Sequence, residues 1–170
     1  MLVIEALKLS AMVVDGDLDI DGEDLDVWLK CYNLVEQELA TDYFPILEVE
    51  KFFHVKDKIY YKDFSRKPYM LRGIQDFHGD SVSFRLTPEY INLIKNYDGG
   101  TFFVKYYYLP EEKGLQSHCT YGAEYISILK YGIAAEYCLA TGNYDLAKIY
   151  SDKYKERIKL KGPKKRNETY

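Results

Sequence analysis

The chain has 170 residues, of which 47% are hydrophobic and 29% are charged, as is typical of a globular domain. Its three cysteines show no paired spacing, so the sequence predicts neither a disulfide framework nor a zinc site. No apolar run approaches the length of a membrane span, and no basic leader precedes an apolar segment. We therefore expect a soluble protein that is not exported and has no membrane partner.

The formal net charge of −4 conceals a strong asymmetry along the chain. Residues 15–50 hold twelve acidic side chains and a single lysine, whereas residues 148–166 hold nine basic and two acidic side chains. The two regions are expected to attract each other within one molecule or between copies, or to be two solvated faces without a partner. The eighteen tyrosines favour either a β-rich core or surfaces that a partner covers.

Helical spacing of apolar residues at the start of the chain predicts a first helix over residues 2–14. An acidic loop follows, in which Asp21 is expected to cap a second helix over residues 21–43. This second helix carries a clear apolar stripe and should end before Pro45, because a proline disfavours the helical conformation in the residue before it.

The apolar pattern changes from helical spacing to alternation over residues 46–110, which predicts an antiparallel β module of four to six strands. Turn signals at residues 56–58, 78–80 and 98–100 separate the strands. The last strand, residues 101–109, is aromatic almost throughout and is followed by a proline.

Two further helices are predicted at the end of the chain, over residues 117–141 and 143–161. Gly142 should adopt the left-handed conformation that closes a helix, and Asn143 should cap the helix that follows. The first of these helices is apolar on most of its circumference, whereas the second has an aromatic face and a basic face.

This order of elements predicts an α+β fold. We expect a mainly helical bundle of two N-terminal and two C-terminal helices, with a small antiparallel β-sheet module inserted between them. The expected domain covers residues 1–162, followed by a flexible basic tail over residues 163–170.

The acidic loop contains Asp17-x-Asp19-x-Asp21-Gly22, which matches the first half of a calcium-binding EF-hand loop. The twelfth position of such a loop should be a glutamate, but here it is Trp28, on the apolar stripe of the second helix. An acidic loop that caps a helix explains the same residues. The sequence therefore predicts no metal site and leaves Asp17, Asp19 and Asp21 as calcium candidates.

The histidines give no indication of a catalytic site. His54, His78 and His118 lie in three separate segments, without the spacing of a metal-binding or catalytic pair. The chain also lacks the glycine-rich phosphate loops and the nucleophile elbow of common enzyme classes. We therefore expect a protein that is not an enzyme and needs no cofactor.

Four segments of the chain form a characteristic arrangement. A helix ending in ELATDYFP (residues 38–45) leads to the short strands of VKDKIYYKDFSRKPYMLRGIQDFHGDSVSFRL (residues 55–86). The strand FFVKYYYLP (residues 102–110) then passes into the helical hairpin YISILKYGIAAEYCLATGNYDLAKIYSDKYKERI (residues 125–158).

This arrangement, over nearly the whole chain, resembles the head–tail connector (adaptor, or neck) proteins of tailed bacteriophages. In that family the closing strand commonly ends with a tyrosine and a proline, before helices rich in small and aromatic residues. In this chain, the corresponding positions hold Gly132, Ala134, Ala135, Glu136 and Tyr137.

The resemblance implies a structural role in the virion. Such a protein forms a homo-oligomeric ring, here expected as a dodecamer, between the portal and the tail, and DNA passes through its channel. The implied partners are the portal protein and a tail or second neck protein, with non-specific contact to DNA in the channel. The implied location is the neck of the virion, with assembly in the host cytoplasm.

A head-to-tail ring needs two different patches on each subunit, and the acidic and basic regions of the chain are candidates for them. We hypothesise that the C-terminal helix and tail engage a neighbouring protein. The candidate interface residues are Lys153, Lys155, Arg157, Lys159, Lys161, Lys164, Lys165 and Arg166. The alternative is a non-viral, soluble protein-binding adaptor that responds to calcium through its acidic loop.

Overall fold

The structure, a computed structural model, describes residues 1–14, 16, 22 and 24–162. They form two compact units. The helical unit consists of the described residues of Met1–Phe44 and Pro110–Tyr170, and the β unit is Pro45–Leu109. The predicted α+β fold, with a β module inserted between two pairs of helices, is confirmed. The assignment of residues 1–162 to one domain stays a prediction, and the tail over residues 163–170 lies outside the described residues.

The helical unit is built around its third helix. Its helices are α1 (Val3–Val14), α2 (Leu25–Glu38), α3 (Ile126–Ala140) and α4 (Tyr144–Lys161). α3 packs against the other three helices, because its surface is apolar on most sides and is buried along most of its length. None of these helices, within the described part of the chain, is long and apolar enough to cross a membrane.

α2 begins at Leu25, four residues later than predicted. Asp24 occupies the position before the helix, but its side chain makes no capping bond to the backbone. Its carboxylate instead accepts a hydrogen bond from the Tyr137 hydroxyl at 2.9 Å. Asp21, the predicted cap, lies outside the described residues. The other end is as predicted, because a π-helical turn, Leu39–Tyr43, extends the helix to the residues just before Pro45.

The predicted start of the third helix at residue 117 is wrong. α3 begins at Ile126, after a single 3-10 turn at Ala123–Tyr125. The preceding backbone is paired with the start of the chain: the Val3 amide donates to the Ser117 carbonyl at 2.9 Å, and the Cys119 amide donates to the Met1 carbonyl at 3.0 Å. Because these groups bond to a distant segment, residues 117–119 do not join the helix.

The turn between α3 and α4 has the predicted chemistry. Gly142 has a φ of +81°, and its amide donates to the Leu139 carbonyl at 3.2 Å. The Asn143 amide donates to the Cys138 carbonyl at 2.7 Å, which completes a Schellman motif. The Asn143 side chain also accepts a hydrogen bond from the Leu146 amide, as a helix cap does. Local sequence therefore determines the geometry of this hairpin.

The β unit contains two three-stranded antiparallel sheets, where a single sheet was predicted. Its strands are β1 (Ile46–Val55), β2 (Lys58–Tyr60), β3 (Pro68–Asp76), β4 (Phe84–Leu86), β5 (Tyr90–Leu93) and β6 (Gly100–Tyr108). The sheet orders are β1-β6-β3 and β2-β5-β4. One core of buried residues joins the two sheets, including Ile59 and Ile91 of one and Phe102 and Val104 of the other. Two packed sheets bury these side chains, which a single open sheet would leave exposed on one face.

Candidate assembly surface

The basic side of α4 is the surface that the sequence predicted as an interface. Tyr150, Tyr154 and Ile158 of this helix are buried, so the cationic residues between them face solvent. The five candidate residues within the described chain are all exposed: Lys153, Lys155, Arg157, Lys159 and Lys161. Lys164, Lys165 and Arg166 lie outside the described residues.

Two of these five cations are held by contacts with aromatic rings of the same molecule. The Nζ atom of Lys161 lies 3.9 Å from the centroid of the Tyr125 ring and donates a hydrogen bond to the Glu124 carbonyl at 3.0 Å. The Nζ atom of Lys153 lies 5.5 Å from the Tyr131 centroid and 5.7 Å from the Tyr150 centroid. Cation–π contacts of this kind hold a flexible side chain close to the protein surface.

Lys155, Arg157 and Lys159 make no ring contact and donate no hydrogen bond within the described residues. The positive charge of Lys155 acts on the carboxyl of Glu38 and lowers its pKa, so Arg157 and Lys159 have the most freedom to pair with a partner. We name these three the α4 cation cluster.

A cleft of about 320 Å³ lies beside this cluster, between α2, α3 and α4. Two carboxylates, Glu38 and Glu136, line it together with Lys155. The Tyr154 hydroxyl donates a hydrogen bond to the Oε2 atom of Glu38 at 3.2 Å. A second cation, Lys148, lines it as well, and Gly132 and other small, apolar or aromatic residues complete the lining.

The two carboxyl groups of the cleft titrate at a higher pH than free carboxyls. Burial raises the pKa of Glu38, and the negative charges of Glu136 and Asp42 raise it further, against the opposing effects of the bond from Tyr154 and of the positive charge of Lys155. Burial also raises the pKa of Glu136. Lys148 and Lys155 line the same cleft, so its two partly buried carboxylates lie close to cations of α4.

Glu136→Gln is expected to reduce the pH dependence of stability. Because the pKa of Glu136 is raised in the folded state, the folded protein binds more protons than the unfolded chain above the ordinary value of 4.5, and stability falls as pH rises through this range. Glutamine removes this loss, so the melting temperature of the variant should fall less from pH 4.5 to neutral pH. Thermal melts across this range measure it, with Glu112→Gln at an exposed position as the control. If the melting temperature changed equally with pH in Glu136→Gln and in the unmodified protein, the expectation would be contradicted.

A third carboxylate is almost completely buried. Glu36 is 1% exposed, and its Oε1 atom accepts hydrogen bonds from the Tyr32 hydroxyl and from the Thr120 amide, each at 2.6 Å. These bonds connect α2 to the segment before α3. Sequence reasoning missed this group, although a glutamate four residues after a tyrosine on an apolar helix face was the available signal.

Trp28 belongs to the core of the helical unit. Its side chain is 5% exposed, and its ring stacks on the ring of Tyr137 with centroids 3.7 Å apart. The residue that replaces the twelfth ligand of the calcium motif therefore has a packing role. Asp17, Asp19 and Asp21 lie outside the described residues. Within residues 1–14, 16, 22 and 24–162, no group of three or more histidine, cysteine, aspartate or glutamate residues could hold a metal ion.

The three cysteines are not joined by disulfide bonds. Cys31 and Cys138 are buried and Cys119 is half-buried. Burial raises the pKa of the Cys31 thiol to about 11, which keeps it protonated at neutral pH.

No protein-family model matches this chain, and a comparison with curated proteins finds no match. Inference of function therefore depends on the order of the elements and on the surfaces that they present. The surface with the clearest chemistry is the α4 cation cluster together with the adjoining acidic cleft. It combines exposed cations, two carboxylates and an apolar floor, which suits a contact with another macromolecule.

Proposed function

We propose that the protein is a structural component of a virion, a head-to-tail connector subunit. Copies form a ring between the portal and the tail, and DNA passes through the ring. The observation that carries the proposal is the α3–α4 hairpin, in which a buried helix rich in small residues supports a helix with an exposed cationic side. This hairpin follows two helices and a β module. The resemblance to connector proteins depends on the same order of elements.

The physical demands of a ring agree with this assignment. A subunit that joins neighbours around an axis needs two unlike surfaces, each held in a constant orientation. The α4 cation cluster lies on a helix whose position is determined by close packing against α3, and residues 15–50 provide an excess of negative charge. Charged surfaces of opposite sign steer a subunit toward its partners and select the orientation in which each surface binds. Exposed cations also account for the proposed non-specific contact with DNA in the channel.

Quantitative mass spectrometry of purified virus particles from the source tests this function. The expected result is this chain at a fixed, low copy number per particle, comparable with that of the portal protein. Absence of the chain from intact, infectious particles would overturn the proposal and leave a non-viral adaptor as the function to pursue.

A charge-reversal variant tests the role of α4 in the same particles. Arg157→Glu combined with Lys159→Glu should greatly reduce incorporation of the chain while leaving its melting temperature nearly unchanged, because both side chains are exposed and neither lines the acidic cleft. The matched control reverses two exposed lysines elsewhere, Lys8 and Lys30. Equal loss of incorporation in both variants would point to net charge, and would contradict a specific contact at α4.

A further inference from the structure

One face of the sheet β1-β6-β3 is uncovered. The strand register places three rows of side chains on it: Leu47, Tyr107 and Met70; Val49, Lys105 and Gly73; and Lys51, Phe103 and Gln75. The alternate residues of β6, including Phe102, Val104 and Tyr106, point the other way and are fully buried in the core of the β unit. We name the uncovered side the outer face.

The outer face carries aliphatic side chains where a solvated face would carry polar ones. Leu47 and Val49 are 54% and 47% exposed, while the neighbouring Glu48 and Glu50 point into the unit and are half-buried. Glu50 accepts hydrogen bonds from the Tyr106 hydroxyl at 2.7 Å and from the Ser65 amide at 3.0 Å. A slip of one residue in β1 would bury the aliphatic side chains but would break these bonds. The sheet therefore maintains the exposure of Leu47 and Val49.

The charge on the outer face has a single sign. Lys51, Lys105 and Arg72 contribute cations, and none of its three rows contains a carboxylate. The Nζ atom of Lys51 lies 4.6 Å from the Phe53 centroid, and the Cζ atom of Arg72 lies 5.5 Å from the Tyr107 centroid. These contacts keep the cations close to the apolar surface.

The centre of the outer face is open. A Cβ atom added at Gly73 would meet no atom within 4 Å, so nothing within the described chain fills the space above this residue. The face thus offers a recess, a row of aliphatic side chains and three cations. A partner that fits it needs apolar side chains combined with negative charge.

We propose that the outer face binds a second copy of this chain, through the acidic stretch of residues 15–26. That stretch contains seven acidic residues and no basic residue, and Leu18 and Ile20 alternate with Asp17, Asp19 and Asp21 in its sequence. It therefore supplies both the apolar side chains and the negative charge that a partner of the outer face needs. The α4 surface is the poorer acceptor, because Asp152 and Glu156 are interspersed with its cations.

The contact joins two different surfaces, so it propagates from copy to copy as a ring requires. It rests on the proposed function for the identification of the second copy as a neighbour in the connector ring. The contact itself forms between free copies at high protein concentration, and this is tested without virus particles.

Zero-length coupling of carboxylates to lysine amines in a mixture of ¹⁴N- and ¹⁵N-labelled full-length protein tests the contact. The expected products are peptides of mixed label that join residues 15–26 to Lys51 or Lys105. Their yield should fall as salt is raised, since the attraction is partly electrostatic. Links only within one copy, or links predominantly to Lys155 of α4, would overturn the proposal.

Variants that retain Lys51 and Lys105 show whether the links need the apolar residues of the outer face as well as the reactive lysines. Leu47→Asp combined with Val49→Asp should lower the yield of mixed-label links roughly tenfold or more, because the acidic stretch would then meet negative charge and lose apolar contact. The matched control is Leu86→Asp, which replaces an equally exposed leucine in the other sheet. An equal fall in both variants, or in neither, would contradict the assignment to the outer face.

A mixture of two defective proteins tests the direction of the contact. One carries Leu47→Asp with Val49→Asp and keeps its acidic stretch; the other carries Asp17→Asn, Asp19→Asn and Asp21→Asn and keeps its outer face. Each alone should remain monomeric in sedimentation experiments, and the mixture should form dimers and nothing larger. Failure to complement would overturn a contact between two different surfaces.

The same proteins distinguish the contact from two other outcomes. In the first, a single-stranded oligonucleotide binds tightly, competes with the mixed-label links and no longer binds when Leu47→Asp and Val49→Asp are present. This result would show that the outer face binds nucleic acid and would overturn the proposal. Absence of the chain from virus particles, with the links intact, would remove the connector function and leave the self-association. Presence in particles without any links would remove only this contact.

Discussion

Glu36→Ala is expected to lower the free energy of unfolding by about 3 kcal/mol or more. The Tyr32 hydroxyl and the Thr120 amide both donate to this carboxylate, and both would lose their acceptor in a site closed to water. An unsatisfied buried donor costs roughly 1–3 kcal/mol, and the lost side-chain volume adds to the penalty. Urea denaturation of the full chain measures the change.

Glu36→Gln is the matched control. Glutamine has the same shape and retains an acceptor oxygen for both donors, and the Oε2 atom of Glu36 has no hydrogen-bond partner among the described residues. The control should therefore cost much less than the alanine variant. If both variants lost the same stability, the negative charge would be the important property of Glu36, and the explanation by hydrogen bonds would be wrong.

Gly132→Leu is expected to destabilise the helical unit by about 3 kcal/mol, at the upper end of the range for overpacking. A Cβ atom at this position would lie 2.8 Å from Cγ1 of Val35 and 2.9 Å from Cε2 of Tyr154. These neighbours belong to α2 and α4 and are themselves buried, so neither can move without opening the core. The melting temperature should fall by roughly 6–12 °C for a chain of this length.

Ala140→Leu provides the comparison for this variant. It adds the same side chain to the same helix at an exposed position near its end, and should change stability by less than about 0.5 kcal/mol. A Gly132→Leu variant as stable as the Ala140→Leu variant would show that the three helices do not approach as closely as described. Because the α4 cation cluster depends on this packing for its position, the proposed connector function predicts that Gly132→Leu also impairs incorporation into particles.

The position of the candidate interface was partly readable from the sequence. The basic side of α4 follows from helical spacing alone, since Tyr150, Tyr154 and Ile158 had to face inward. Sequence could not show that Lys161 lies on the ring of Tyr125, because these residues are far apart in the chain. Nor could it place Glu38 beside Glu136 in one cleft, because that proximity depends on how α2 packs against α3.

The outer face shows the same limit in the β unit. Alternation in β1 predicted a strand, but it could not show which of its two faces would be covered. Glu50 of this strand is on the buried side because Tyr106 and Ser65, from other segments, donate hydrogen bonds to its carboxylate. A pattern of polar and apolar residues carries no information about such distant donors.

By itself, the sequence determined the type and order of the elements and the turn between α3 and α4. These features depend on interactions within a few residues, such as the left-handed backbone at Gly142 and the cap at Asn143. Only the tertiary structure decided the division of the strands into two sheets, the late start of α3 and the burial of Glu36. Each of these results from hydrogen bonds or packing between residues that are distant in sequence, and the partners of such contacts are set by the fold as a whole.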